Sequence, residues 1–179
     1  KIYRKNLGKT KCDLLEQYAD NFIKFLNDSN LVPYVQQQKY TEVCIQGYVF
    51  FINEEIRKKI HSFMDKESKI DDKKIAEIVQ HTINHHYERW SKEPFAPTMD
   101  DKYHKLVIKK NMNIINKSIN EFFKNLPLSK EDNQKLIDTI GYIFCKFHSG
   151  VSHQEMSGIV IAGFGDKEIF PSLKSFYVD

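Results

Sequence analysis

Apolar residues recur along most of this chain at intervals of three and four, the spacing that lines side chains up on one face of a helix. Between Lys11 and Asp28 that face is made by Leu14, Leu15, Tyr18, Phe22, Phe25 and Leu26, and the cluster Asp28-Ser29-Asn30 supplies turn-forming residues to end it. A second helix is expected from about Pro33, with Tyr40, Val43, Gly47, Phe51, Ile56, Ile60 and Phe63 as its inward stripe. That stripe runs for about eight turns, and Gly47 within it points to close packing or a bend. Asp71 or Asp72 is placed to cap a third helix carried by Ile75, Ile78, Val79, Ile83, Tyr87 and Trp90 and ended before Pro94 and Pro97. Thr98 with Asp101 resembles the capping pair of a fourth, carried by Val107, Ile108, Met112, Ile115, Ile119 and Phe122 and stopped by Leu126-Pro127-Leu128. Ser129 with Asp132 repeats the capping signal for a fifth, in which Leu136, Ile137, Ile140, Phe144 and Phe147 lead to an end near Gly150.

Only then does the period change. Ile159-Val160-Ile161-Ala162 is a short continuous apolar run, the pattern of a strand buried on both faces. Gly163, Gly165 and Asp166 are turn material, and Phe170 to Val178 reads as a second strand despite Pro171 near its start. The pattern predicts a mainly α chain with a small β part (α+β), with about five helices and a C-terminal β-hairpin. It divides into a helical region over 1–150 and a hairpin over 151–179. A lone two-stranded hairpin is marginal in water and offers unpaired edges, so this one is expected to belong to a larger sheet. The chain opens at Lys1 in the charged segment KIYRKNLG and stops at Asp179 within a strand pattern, which suggests a fragment.

Composition narrows the class. At 179 residues the chain is about one domain by length, and aromatics at 13% set it apart from disordered chains. Lys and Arg total 27 against 24 acidic residues, with the signs interspersed. A formal charge of +3 is too small to argue for nucleic acid, although Arg57-Lys58-Lys59 and Lys109-Lys110 are local basic patches. Cys12, Cys44 and Cys145 are far apart and odd in number, which favours free thiols in a reducing, cytoplasmic setting. No apolar run approaches the length of a membrane span, and no signal-peptide pattern is present.

The candidate chemistry fails its spacing tests one motif at a time. Gly163-x-Gly165 is followed by Glu168 where a dinucleotide turn needs its third glycine, and Phe164 follows Gly163 where a phosphate loop needs lysine. His81 and His85 share a helical face as a zinc pair does, but no glutamate base lies between them and Glu88 is a weak third partner. The bland reading is a polar face, with His86 packing near Trp90. Cys145 and His148 are one turn apart, yet Cys145 sits in the apolar stretch Tyr142-Ile143-Phe144 and reads as a buried, inert thiol. Glu54-Glu55 and Asp71-Asp72 read as solvated surface or caps, and Tyr87-Glu88-Arg89-Trp90 lacks the basic excess of a base-stacking surface. No catalytic, cofactor-binding or metal-ligating residue is assigned, and no cofactor is expected.

Ala162-Gly163-Phe164, Asp166 and Tyr177-Val178-Asp179 form an apolar strand ending in Ala-Gly plus an aromatic, an acidic turn, and a second strand ending in Asp. This tail resembles the strand-turn-strand that follows the paired central helices of proteasome β-type subunits. Together with the opening KIYRKNLG it is similar to a group of uncharacterised bacterial proteins related to proteasome subunits and other N-terminal-nucleophile hydrolases. The likeness covers about 40 residues. It implies the helical layer of a four-layer αββα fold, with residues 30–128 a helical insertion between two core helices. It also implies amide-bond hydrolysis in which the terminal amine serves as base for a Thr, Ser or Cys nucleophile. Lys1 cannot be that nucleophile. The resemblance places it upstream and the remaining polar partners downstream, so no catalytic role falls on this chain. Self-association or assembly through the terminal strands and helices is expected. The alternative is a non-enzymatic helical interaction or oligomerisation module.

Overall fold

The computed structural model describes residues 11–28, 33–67, 69–96, 99–147 and 157–178. Among them are five helices, α1 (Leu15–Asp28), α2 (Tyr34–Met64), α3 (Asp72–Lys92), α4 (Asp101–Phe122) and α5 (Lys130–Ile143), and two strands, β1 (Ser157–Gly163) and β2 (Ser172–Val178). The mainly helical fold with a small C-terminal β part is the one the residue pattern predicts. The chain divides into two compact units, one of residues 1–37 and 150–179, the other of residues 38–149.

In the helical unit the core is made by Ile45, Val49, Ile52 and Ile56 of α2, Val79 and Ile83 of α3, Ile115 and Ile119 of α4 with Phe123 just after it, and Leu136, Ile137 and Ile140 of α5. Each fully buried aliphatic side chain contributes about 1.5–3 kcal/mol relative to exposure. The stripe expected on α2 is buried only in its second half: Ile56 is in the core and Ile60 packs against it, whereas Val43 and Phe51 are more than half exposed. The step from Phe51 to Ile56 is five residues, a rotation of roughly 140° away from one face at 3.6 residues per turn. No single helix face holds both halves of that list. Ile45, Val49 and Ile52 keep strict four-three-four spacing with Ile56 and complete the core face in place of the first half of the list.

Gly47 lies on the exposed side of α2, where a methyl group would meet nothing within 4 Å, so it does not serve close packing. Gly47→Ala is expected to stabilise the helical unit by about 0.5–1 kcal/mol, because glycine costs backbone entropy in a helix interior. Urea unfolding checks it, and a loss of stability would contradict the open surroundings.

The caps explain where the helices start. Asp71 accepts from the Lys74 amide at 2.7 Å and Asp100 from the Tyr103 amide at 2.8 Å. The cap of α4 is therefore Asp100 rather than the expected Thr98, which lies outside the described residues. Ser129 and Asp132 form the full reciprocal capping box, with Asp132 N–H donating to Ser129 Oγ at 3.0 Å and Ser129 N–H to Asp132 Oδ2 at 3.2 Å. Helix α5 ends at Ile143, earlier than expected, because the following backbone is bound elsewhere. Ala96 N–H donates to the Cys145 carbonyl and Phe147 N–H to the Pro94 carbonyl, closing a bridge between Phe95 and Lys146.

In the other unit β1 and β2 pair antiparallel, from Ser157 opposite Val178 to Gly163 opposite Ser172. Helix α1 packs against this hairpin, with Leu15 and Ala19 buried and Lys174 Nζ donating to Glu16 Oε1 at 2.6 Å. Ile159 and Ile161 are half-buried while Val160 and Ala162 between them are exposed. The apolar run expected to be covered on both faces is thus covered on one, and Leu173 adds to the open side at 63% exposure.

Candidate functional site

The helical unit contains a chain of polar side chains threaded between α2 and α3. Trp90 Nε1–H donates to Tyr48 Oη at 2.6 Å, Tyr48 Oη lies 2.9 Å from His86 Nδ1, and His86 Nε2 lies 2.9 Å from Glu55 Oε2. Lys59 Nζ reaches Glu55 Oε1 at 2.6 Å and Thr82 Oγ1 at 3.1 Å, and the threonine hydroxyl donates back to the Ile78 carbonyl. Tyr48 and Glu55 are seven residues apart on α2, while Thr82, His86 and Trp90 follow at four-residue steps on α3, so both sets face the seam. The rings pack edge to face, Tyr48 against both His86 and Trp90, and Phe51 against His86.

The hydrogen positions follow from what each group is able to do. A carboxylate only accepts, so His86 Nε2 carries the proton toward Glu55, Nδ1 is the acceptor, and the Tyr48 hydroxyl donates to it. The charges agree with that assignment. Burial pushes the His86 imidazole below its ordinary value despite the pull of Glu55, so the ring is neutral. Burial works against the Glu55 charge, but hydrogen bonds from Lys59 and His86 outweigh it and the carboxyl sits below its usual range. Desolvation pushes the Tyr48 phenol up to about 12, which excludes a phenolate nucleophile at neutral pH. The arrangement orders two helices and holds a proton at a defined nitrogen.

The hairpin unit contains the second arrangement, at the turn that follows Gly163 and holds Gly165. Glu168 Oε2 accepts from Gly165 N–H at 2.6 Å and from Leu15 N–H, at the start of α1, at 2.8 Å, while Oε1 accepts from Ser172 Oγ at 3.2 Å. Asp166 N–H donates to the Cys12 carbonyl and Lys167 N–H to the Asp13 carbonyl. A glutamate of the chain itself thus occupies the place beside a helix N-terminus where a phosphate loop holds its ligand. The Gly165 and Leu15 amides hold the Glu168 carboxyl below its ordinary value. A depressed carboxyl stabilises the fold above its unfolded value of about 4.5 and loses that contribution as pH falls through the lowered folded value. Glu168→Gln is expected to lower the melting temperature at neutral pH, with the gap to the unsubstituted protein closing in acid below that window. Thermal scans at the two pH values check this, and a gap that widens in acid would contradict it.

The other sequence candidates do not assemble. His81 and His85 are exposed on α3, and no group of three or more His, Cys, Asp or Glu side chains among the described residues is placed to hold a metal ion. Cys145 is buried and desolvation pushes its thiol up to about 11, while His148 lies outside the described residues. Trp90 is buried and offers no stacking surface. Asp71 is a cap, as expected. Glu55, however, is not plain solvated surface: its partner is the buried His86. Sequence reasoning misses Tyr48 altogether and sees Glu55 and Lys59 only as surface charge, because the residues it lists for the first half of α2 lie on another face.

Lys146 forms a smaller cluster, with its ammonium 4.3 Å from the Tyr142 ring centre, 4.7 Å from that of Phe95, and donating to the Ser91 carbonyl at 2.7 Å. His104 stacks on Tyr142 at 4.2 Å and lies against Gly141, where a methyl group would approach the imidazole to 2.6 Å. Among the described residues no helix is long and apolar enough to cross a membrane. No family model, no curated protein and no solved structure matches the chain.

Proposed function

We propose that the chain is a structural part of a proteasome-like amide-bond hydrolase, building sheet and helix around a nucleophile that the parent protein supplies from outside these residues. The observation that carries the reading is the two-sided hairpin. One face packs on α1, and the other presents Gly158, Val160, Ala162, Leu173 and Ser175, exposed and without a charge. A sheet with a helix on one side and small apolar residues on the other is what a layer of an αββα sandwich needs, since stacked sheets bury their inner faces about 10 Å apart. The helical unit supports the reading too, because residues 38–149 are one continuous stretch between the two parts of the hairpin unit, as an insertion is. One feature departs from the family pattern: α5, expected as the second core helix, packs with α3 and α4 in the helical unit. On this reading the parent is a bacterial, cytoplasmic protein, in keeping with three free cysteines.

The test is an assay of the complete translation product of the gene on fluorogenic peptide amides, before and after acetylation of its terminal amine. Amide cleavage that acetylation abolishes is expected. Absence of both cleavage and self-processing would remove the hydrolase reading. The second reading, a non-enzymatic interaction module, is favoured by the outward apolar side of α2, where Val43, Phe50 and Phe51 are about half exposed. It predicts concentration-dependent association that Phe51→Glu weakens and that is indifferent to the amine.

A further inference from the structure

We propose that His86 is a proton-operated joint between α2 and α3, whose protonation releases Trp90 from the seam while the helices themselves persist. The inference rests on the count of hydrogens around Tyr48. In the neutral state the phenol donates its one hydrogen to His86 Nδ1 and accepts the Trp90 indole N–H. A proton on Nδ1 turns that nitrogen into a donor. Two donors, Trp90 Nε1–H and His86 Nδ1–H, then converge on the same phenol oxygen, and the phenol hydrogen is driven from the acceptor it holds.

The partner on the other side does not cancel this. Glu55 accepts from Nε2 in both states, so protonation strengthens that bond while reversing the one to Tyr48. The groups acting on the ring are Tyr48 and Glu55 of α2, with Lys59 behind Glu55, and His85 and Arg89 of α3. His85 and Arg89 disfavour a second positive charge beside them, and burial of the ring disfavours it further. A base whose folded value lies below its unfolded value of 6.5 weakens the fold as pH drops from 6.5 toward that folded value, since the open state binds the proton better. Opening the Trp90 end is the route that relieves the crowded oxygen with least disturbance, because the buried aliphatic core of Val49, Ile52 and Ile83 has no part in the relay.

Trp90 is the one tryptophan of the chain and reports the event directly. Acrylamide quenching of its fluorescence is expected to rise about twofold or more between about pH 7.5 and pH 5, the range in which histidine titrates, with the far-ultraviolet helix signal unchanged. His86→Gln is expected to flatten the profile, and His85→Gln to keep the step with its midpoint no lower, since one group that opposes the charge is removed. A flat profile in the unsubstituted protein, a step that survives His86→Gln, or helix loss in parallel with the step would each overturn the joint. Should His86→Gln fail to fold, ¹⁵N spectra of the unsubstituted protein decide. The Trp90 indole N–H must shift with the same midpoint as the His86 ring nitrogens, and separate midpoints would overturn the proposal.

Discussion

Alanine at position 165 is expected to detach the hairpin turn from the start of α1 and to destabilise that unit by about 3 kcal/mol, the upper end of overpacking costs. A Cβ there would lie 2.3 Å from the Asp13 carbonyl oxygen and 2.5 Å from Leu14 Cα, both backbone atoms that cannot rotate aside. The same movement would pull Gly165 N–H from Glu168 and break the Asp166 and Lys167 amide bonds to Cys12 and Asp13. Gly158→Ala is the control. Its methyl would meet Phe176 O at an ordinary 3.5 Å, and a change within about 0.5 kcal/mol is expected. Hydrogen exchange across 157–178 distinguishes them, and equal protection in the two variants would show that the close approach does not hold the turn.

Tyr48→Phe is the second large effect. It removes the acceptor of the Trp90 indole N–H and the donor to His86 Nδ1 together, at about 1–3 kcal/mol for each buried polar group deprived of its bond. A total of about 2–6 kcal/mol is expected in urea unfolding. The double variant Tyr48→Phe/His86→Leu is expected to cost less than the sum of its parts, since removing both members of a pair leaves less unsatisfied than removing one. Strict additivity, or a loss below about 0.5 kcal/mol, would mean the relay does not act as a unit.

Much of the fold is legible in the sequence where one local signal acts alone. Asp71 and the Ser129–Asp132 box mark their helix starts because a short acceptor side chain meets free amides whatever the tertiary context. The face of α2 was not legible in the same way. That helix has apolar residues on two sides, Ile45-Val49-Ile52-Ile56 on one and Val43, Phe50 and Phe51 on the other, and only packing against α3 to α5 decides between them. Once the wrong side is taken as inward, Tyr48 and Glu55 cannot be seen to meet His86, whose own position between Ile83 and Trp90 on the buried stripe of α3 was available from spacing. The role of Glu168 was hidden for another reason. Its partner Leu15 is 153 residues away, and no periodicity carries information over that distance. The glycines themselves were legible as turn material, and Gly165 does lie in the turn that Glu168 closes.

On the proposed function, the open face of the hairpin is the inner face of a sheet sandwich in the parent protein. A cysteine placed at Leu173, now 63% exposed, tests it when its labelling by a thiol reagent is followed by mass spectrometry at that position. Rapid labelling at 173 in the 179-residue chain and strong protection in the complete translation product of the gene are expected. Equal labelling in both would contradict it, because the face would then be surface in the parent as well.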